Sequence, residues 1–379
     1  QPDIIARWAE VVSDRLNPIL VKETRQALKS KQFLATFAIM LFGGWLISAF
    51  VLLSLIGVNY DSPIGRDVFP WYFTVLALTV VLIVPFGAFR SLLAERDQNT
   101  YEILNITTLS PSQIIWGKWL SSQVQTFIYF SAISPFIAFT YLLRGVDFPT
   151  LAFVLVMTMF TSMFLAVFAL TFSTLAHQRQ AQVVLSLALL GGLFWILIFS
   201  VGAAYALVAQ SALDYSDNSL YWTIAVGATY YAAGFVLCLQ CARARLTFES
   251  DNRSTGIRLT SSAIVALTIA WLGLGLYIGV FSVAATGVVV DTEPTIVSVS
   301  FLSAFMLIIC LFAATETDPL SRRCRSQLPR SGLFRLLTAP FLPGGGRGML
   351  YTVLHAGALA GCAYLAGQYV RTPEWSDVI

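Results

Sequence analysis

The chain has 379 residues, of which 57% are hydrophobic and only 11% are charged, and its formal net charge is +3. An ordinary soluble domain carries roughly 25% charged residues, so this composition excludes a soluble globular protein. The apolar residues come in uninterrupted runs of about 20, the length needed to cross about 30 Å of hydrocarbon. We therefore expect an all-α, polytopic transmembrane helical bundle.

The N-terminal segment, residues 1–32, is predicted to contain an amphipathic helix on the cytosolic side. Asn17 followed by a proline is typical of a helix start. In the helix that follows, Lys22, Arg25 and Lys29 share one polar face, and the opposite face is apolar. A basic amphipathic helix before a span should lie in the headgroup plane. The pattern fits a general membrane anchor and a specific mechanical part equally well.

Apolar runs of sufficient length predict nine spans. Two of the connections between them, 242–261 and 315–349, are rich in arginine. The predicted spans are 33–56, 71–89, 119–143, 151–175, 183–209, 221–241, 262–285, 297–314 and 350–369.

The distribution of Lys and Arg predicts the orientation of the chain. Of the 23 Lys and Arg residues, 20 fall on the side that holds the N-terminus, and 3 fall on the other side. Positive residues concentrate in cytoplasmic loops. We therefore expect a cytosolic N-terminus and an external C-terminus. We also expect an integral membrane protein, and we assign it to the bacterial inner (plasma) membrane.

The loop between spans two and three, 90–118, carries more pattern than a simple connection needs. A charged turn leads into a short amphipathic piece, which a Thr-Thr-Leu-Ser-Pro sequence ends. A second helix is predicted to start at Ser110 or Ser112 and to run into the membrane. Exposed Ile and Leu on the short piece favour burial against a partner, although packing on the chain's own spans would satisfy them as well.

This loop resembles the coupling loop in permease subunits of ATP-binding-cassette transporters of the ABC-2 type. The resemblance rests on a glutamate, a Thr-x-Glu-x-Leu stretch at 100–104, the Thr/Leu/Ser/Pro turn and a Gly-Lys pair at 117–118. The chain departs from the family pattern at Asn99, where glycine is usual, and at Pro111, which follows Leu-Ser instead of preceding leucine. The N-terminal segment is also similar to the start of such permeases.

The resemblance covers about residues 17–241 and implies a six-span permease unit at 33–241. In that family the N-terminal helix rests on the inner leaflet, and the loop docks into a separate ATPase subunit. The implied assembly is an exporter with two permease chains and two ATPase chains. The residues that the resemblance assigns to docking are Glu95, Thr100, Glu102, Leu104, Thr107 and Lys118.

The rest of the chain lies outside the family unit. It comprises a basic cytosolic loop at 242–261 and three additional spans in 262–379, with an Arg-rich cytosolic loop at 315–349. The arginines of these loops fit two uses: they hold topology and bind anionic lipid, or they extend the docking surface.

Several function classes lose support from what the sequence lacks. His355 is the one ionisable residue of the usual relay types inside the predicted spans, whereas ion-coupled transport needs charged groups there. The glycine-rich stretch at 344–348 follows no strand and lacks the lysine of a nucleotide-binding loop. We therefore expect no enzyme activity, cofactor, metal or nucleic-acid partner in this chain, and we expect ATP hydrolysis on another chain.

Two alternatives to a permease follow from the same features. A membrane scaffold or assembly factor could recruit a cytosolic partner through the same basic loops. A membrane-embedded enzyme acting on lipid is disfavoured, because no span carries paired carboxylates, a His cluster or a nucleophile with an adjacent base.

Overall fold

The computed structural model describes residues 17–54, 64–97, 110–175, 178–209, 213, 215–216, 218–248, 251–286, 331, 334 and 338–370. Within these ranges every regular element is a helix. The contacts group the chain into two compact units, Gln1–Ile224 and Ala225–Ile379, which are described in turn.

The first unit begins with the predicted amphipathic helix, α1, Pro18–Lys29. Asn17 caps it, since its side-chain Oδ1 accepts the N–H of Ile19 at 3.1 Å. Ser30 then separates α1 from α2. Its hydroxyl donates to the carbonyl of Ala27 at 2.7 Å and accepts the N–H of Phe33 at 3.1 Å. One serine therefore ends the first helix and starts the second.

The remaining helices of this unit are long and apolar. One of them contains a π-helical segment, Leu78–Ile83, between two α-helical parts. The helices are α2 Lys31–Ser54, α3 Ile64–Ala77, α4 Val84–Asp97, α5 Pro111–Leu142, α6 Phe148–Leu175 and α7 Arg179–Ala209. The next helix, α8 Asn218–Leu246, begins in this unit and belongs to the second unit from residue 225 onward.

Among the described residues, six helical stretches are long and apolar enough to cross a membrane, and the chain is an integral membrane protein. They are Lys31–Leu53, Ile64–Glu95, Pro111–Leu142, Phe148–Leu175, Arg179–Val208 and Leu220–Leu246. These stretches match the first six predicted spans in order. The all-α membrane bundle is therefore confirmed.

The second and third of these membrane-spanning stretches extend beyond the bounds of the predicted spans. The second begins at Ile64 instead of residue 71. The third begins at Pro111, before the predicted span at 119, in agreement with the helix start predicted at Ser110 or Ser112. Both extensions carry polar residues that a hydropathy reading assigns to loops, although helical backbone continues past the apolar core. The predicted total of nine spans is not confirmed. Spans seven and nine fall on helices of the second unit, and span eight lies outside the described residues.

The core of the first unit surrounds the helix pair α3 and α4. Five of its large side chains are almost completely buried: Phe69, Tyr72, Phe73, Leu76 and Val80. The continuous helical rod formed by α3, the π-helical segment and α4 contacts α5, α6 and α7. The other spans expose large apolar side chains, as expected where lipid is the solvent.

The π-helical segment leads directly into a proline that sequence analysis places inside a span. The N–H of Val84 bonds to the carbonyl of Thr79, five residues back. The next bond in this register would join residue 85 to Val80, but Pro85 has no N–H. Ser162 of α6 supplies the missing donor, since its hydroxyl lies 2.7 Å from the carbonyl oxygen of Val80. The irregular backbone is therefore satisfied from a neighbouring helix.

The second unit contains α9, Ser254–Thr286, a 3₁₀ turn, Ala339–Phe341, and α10, Gly345–Val370. Arg258 of α9 is buried, and its Nη1 donates to the carbonyls of Pro340 and Leu342 at 2.9 and 2.8 Å. The hydroxyl of Thr255 donates to the carbonyl of Phe341 at 2.6 Å. The start of α9 therefore binds the backbone of the 3₁₀ turn before α10.

Candidate functional site

The candidate site lies where α1 packs beside the end of α4 and the start of α5. Local sequence prepares the two helix ends that meet there. Ser110 caps α5: it accepts the N–H of Gln113, and the Gln113 side chain accepts the N–H of Ser110 in return. Asn17, the cap of α1, donates through Nδ2 to the carbonyl of Gln113. The two helix starts are therefore bonded to each other through their capping residues.

Gly117 allows α1 to lie directly on α5. A Cβ added to Gly117 would come within 2.8 Å of the Cβ of Ile19, closer than real Cβ contacts allow. Ile19 is the buried residue of α1. The glycine of the Gly-Lys pair therefore allows the close packing of α1 on α5.

Lys118 forms the centre of the site. Its side chain is 2% exposed, and its Nζ donates to Oε1 of Glu23 at 2.9 Å. The same Nζ lies 3.1 Å from Oε1 of Glu95. The two carboxylates are 13% and 12% exposed. A buried cation needs such partners, because an unpaired charge in this position would be expensive.

A fourth charge lies at the edge of the group. Lys22 is 3.9 Å from Glu95, and its side chain is 56% exposed. An ion pair this long and this exposed contributes little to stability. We call Lys22, Glu23, Glu95 and Lys118 the Lys118 cluster. It joins α1, α4 and α5 through two negative and two positive side chains.

The structure brings together three of the residues that sequence analysis selected: Lys22, Glu95 and Lys118. Arg25 and Lys29 are exposed on α1 and take no part in the cluster's ion pairs. The other predicted docking residues lie outside the described residues; they are Thr100, Glu102, Leu104 and Thr107.

Sequence analysis did not select Glu23 for the site. Its one local signal is its place on α1 between the exposed basic face and the apolar face. Its partner, Lys118, is 95 positions away in the sequence. Helical periodicity orders neighbours on one helix, but it does not reveal which helix will pack against it.

A second polar group occurs in the other unit, around His355. The Nε2 of His355 lies 2.8 Å from the hydroxyl of Ser262, and its Nδ1 lies 2.8 Å from the carbonyl of Tyr351. The Ser262 hydroxyl also donates to the carbonyl of Arg258, one turn back, at 2.8 Å. A hydroxyl next to an imidazole was not foreseen from the sequence. The contact between Ser262 and His355 joins α9 to α10, whereas each bond to a backbone carbonyl stays within one helix. Such contacts are typical of helix packing.

Within the described ranges, no three His, Cys, Asp or Glu side chains are grouped so as to hold a metal ion. Comparison with known proteins finds no match among family models, curated proteins or solved structures. The family resemblance seen in the sequence is therefore an argument from motifs alone.

Proposed function

We propose that this chain is the membrane-spanning permease subunit of an ABC-2 type transporter, which forms the substrate pathway and is driven by a separate ATPase subunit. The transporter is an exporter of a bacterial inner membrane, with a cytosolic N-terminus and two permease chains in the assembly. The observation that carries this proposal is the Lys118 cluster. It ties the interfacial helix to both helices that flank the proposed coupling loop.

The cluster suggests how force would pass from an ATPase into the spans. The loop 98–109 connects α4 to α5, and Lys118 near the start of α5 pairs with both Glu23 of α1 and Glu95 near the end of α4. A push on this loop would move α1, α4 and α5 as one group. Tilting of that group would then switch the spans between inward and outward states.

The π-helical segment offers a place where such a tilt could be absorbed. It lies in the same rod as Glu95, about three turns before it, and π-turns are frequent at functional sites. The carbonyl of Val80 in this segment accepts its hydrogen bond from Ser162 of a neighbouring helix. A change in helix angle there would therefore break fewer backbone hydrogen bonds than in a regular α-helix.

The test is copurification of the chain with its ATPase from cells that express both. Glu102→Ala removes a proposed docking carboxylate that lies outside the Lys118 cluster. We expect it to reduce the amount of bound ATPase and its ATP hydrolysis. Asp67→Ala is the matched control, because this exposed carboxylate lies on the side that the charge distribution makes external.

Glu95→Gln separates docking from helix joining. It should weaken coupling, seen as ATP hydrolysis that no longer responds to the permease, even when the ATPase still binds. Unchanged assembly and unchanged stimulation in both Glu102→Ala and Glu95→Gln would contradict the proposal. That result would favour a membrane scaffold that conducts nothing.

A further inference from the structure

Two helices of the second unit, α9 and α10, run side by side in the same direction. They contact each other in steps of four residues, the spacing that returns a helix to the same face. At one step, the hydroxyl of Ser262 lies 2.8 Å from Nε2 of His355. Four residues earlier on both helices, the hydroxyl of Tyr351 donates to the carbonyl of Arg258 at 3.2 Å. The numbering decreases together on both helices, so this contact is parallel.

The next step toward the helix starts brings Ser254 of α9 opposite Arg347 of α10. Ser254 lies four residues before Arg258, and Arg347 lies four residues before Tyr351. Both residues belong to the first turn of their helix. The bonds from Arg258 to the backbone before α10 hold the two starts together. We call the place where these two first turns meet the paired helix starts.

Two hydrogen-bond donors at the paired helix starts are buried and have no partner within the described residues. Ser254 is 4% exposed, and its Oγ makes no hydrogen bond. The Nη1 atom of Arg347 is also buried and also makes none. A buried donor without an acceptor is destabilising, and a charged donor more so. The two side chains do not bond to each other, so both can donate to a third group.

The paired helix starts carry positive charge from both helices. Arg347 lies on the first turn of α10, and Arg258 is buried one turn into α9. The N-terminus of a helix adds a partial positive charge and N–H groups that have no intrahelical acceptor. Asp251, three residues before Ser254, is the acidic residue nearest to α9 in the described sequence. None of the ion pairs in the described ranges joins a carboxylate to Arg347.

This combination of charge and donors selects an anion with several acceptor oxygens. Helix N-termini, hydroxyls and guanidinium groups are common partners of phosphate, which accepts several hydrogen bonds at once. The two arginines would repel a metal cation. Space is present at the start of α10, because a Cβ added to Gly346 would meet no atom within 4 Å. A phosphate group therefore matches the paired helix starts in charge and in hydrogen bonding.

We propose that the paired helix starts bind one phosphate group, carried by a lipid headgroup or free in solution. The Arg347 guanidinium and the Ser254 hydroxyl donate to its oxygens, together with free N–H groups of the two first turns. The bound phosphate neutralises Arg347 and joins α9 to α10. The inference uses only the second unit and needs no ATPase partner, so it stands or falls separately from the proposed transport function.

The experiment uses the full chain, stripped of lipid in a neutral detergent and held at constant pH and ionic strength. Its Tm is followed while inorganic phosphate or, separately, short-chain phosphatidylglycerol is added, and the rise in Tm with concentration gives the Kd. A rise with phosphatidylglycerol alone identifies a lipid headgroup as the source of the phosphate. A rise with inorganic phosphate alone identifies free phosphate, and a rise with both shows that the phosphate group suffices. No rise with either would overturn the proposal.

Arg347→Gln tests whether the binding occurs at the paired helix starts. It should weaken binding at least about tenfold, equal to about 1.4 kcal/mol, because it removes the charged donor. Phosphate also stabilises proteins in general, by exclusion from their surface. Arg179→Gln is therefore the matched control: Arg179 also stands at the start of a helix, α7, but it is exposed. It should keep the wild-type Kd.

Ser254→Ala is the second variant, and it serves if Arg347→Gln does not fold. It should weaken phosphate binding without lowering the Tm of the ligand-free chain, because its hydroxyl has no bond there to lose. A purely structural serine would show the opposite, a lower ligand-free Tm and an unchanged Kd, and that result would contradict the proposal. The same Kd in the wild type, Arg347→Gln and Ser254→Ala would overturn the site.

Discussion

Replacement of Lys118 by methionine tests the Lys118 cluster most directly. Methionine keeps most of the side chain's length but removes the charge that Glu23 and Glu95 share at 2.9 and 3.1 Å. At an effective dielectric constant of about 20, each of these contacts has a Coulomb attraction of about 5 to 6 kcal/mol. The desolvation of each buried ion costs several kcal/mol, so the net contribution of the cluster is much smaller than the sum of its attractions.

The loss on mutation is nevertheless large, because Lys118→Met leaves two mostly buried carboxylates without that cation. Breaking a buried ion pair from one side costs about 3–5 kcal/mol. Lys22→Met is the control: it removes the same charge from an exposed position, where a pair contributes at most about 1 kcal/mol. The free energy of unfolding, measured by titration with SDS in mixed micelles, should therefore fall several-fold more for Lys118→Met than for Lys22→Met.

A double-mutant cycle makes the test specific for the Glu23–Lys118 contact. Glu23→Gln together with Lys118→Met should cost less than the sum of the single changes, with a coupling of about 0.5–3 kcal/mol. The reasoning is refuted if the free energy of unfolding of Lys118→Met lies within about 1 kcal/mol of the wild-type value, or if the effects of Glu23→Gln and Lys118→Met are additive.

Three further predictions concern helix packing and capping. Gly117→Ala should destabilise the chain by about 1–3 kcal/mol, because its Cβ would overlap Ile19, whereas Gly202→Ala should not; SDS titration compares the two, and equal stability would contradict the close packing of α1 on α5. Ser162→Ala should cost about 1–3 kcal/mol in the same assay by leaving the buried Val80 carbonyl without its donor, and an unchanged free energy of unfolding would show that this bond is dispensable. Asp147→Ala should cost about 1 kcal/mol by removing the cap of α6. Partial burial raises the pKa of Asp147, but hydrogen bonds from Thr150 outweigh it and lower that pKa overall. The stability from this group is therefore present above the unfolded pKa of about 3.9 and is lost as the pH falls through the folded pKa. If the difference in free energy of unfolding between wild type and Asp147→Ala does not shrink at low pH, this assignment is wrong.

Helix starts and apolar spans could be predicted from the sequence because both depend on local chemistry. Asn17 and Ser110 sit at helix starts in the sequence and cap helices in the structure. The first six spans follow from uninterrupted apolar runs, since hydrocarbon excludes any backbone that is not internally bonded. The start of the second membrane-spanning helix was less predictable, because its helical backbone extends into polar sequence before the apolar run.

The contacts of the site could not be predicted in the same way. Lys118 was selected for its place in a family-like motif, but its burial depends on Glu23, 95 residues earlier in the chain. The π-helical segment shows a similar limit. A proline inside a span, such as Pro85, removes one backbone hydrogen bond, but the form of the resulting disturbance depends on a hydroxyl that α6 places beside Val80. Such pairings are set by how helices pack, which one helix's periodicity does not contain.

The most direct test of the proposed function is to purify the tagged wild-type chain in mild detergent and to identify the proteins that copurify with it. The account predicts an ATPase chain in stoichiometric amount, with ATP hydrolysis that depends on the permease. A clean preparation of the folded chain, with no ATPase and no hydrolysis, would contradict the transporter assignment.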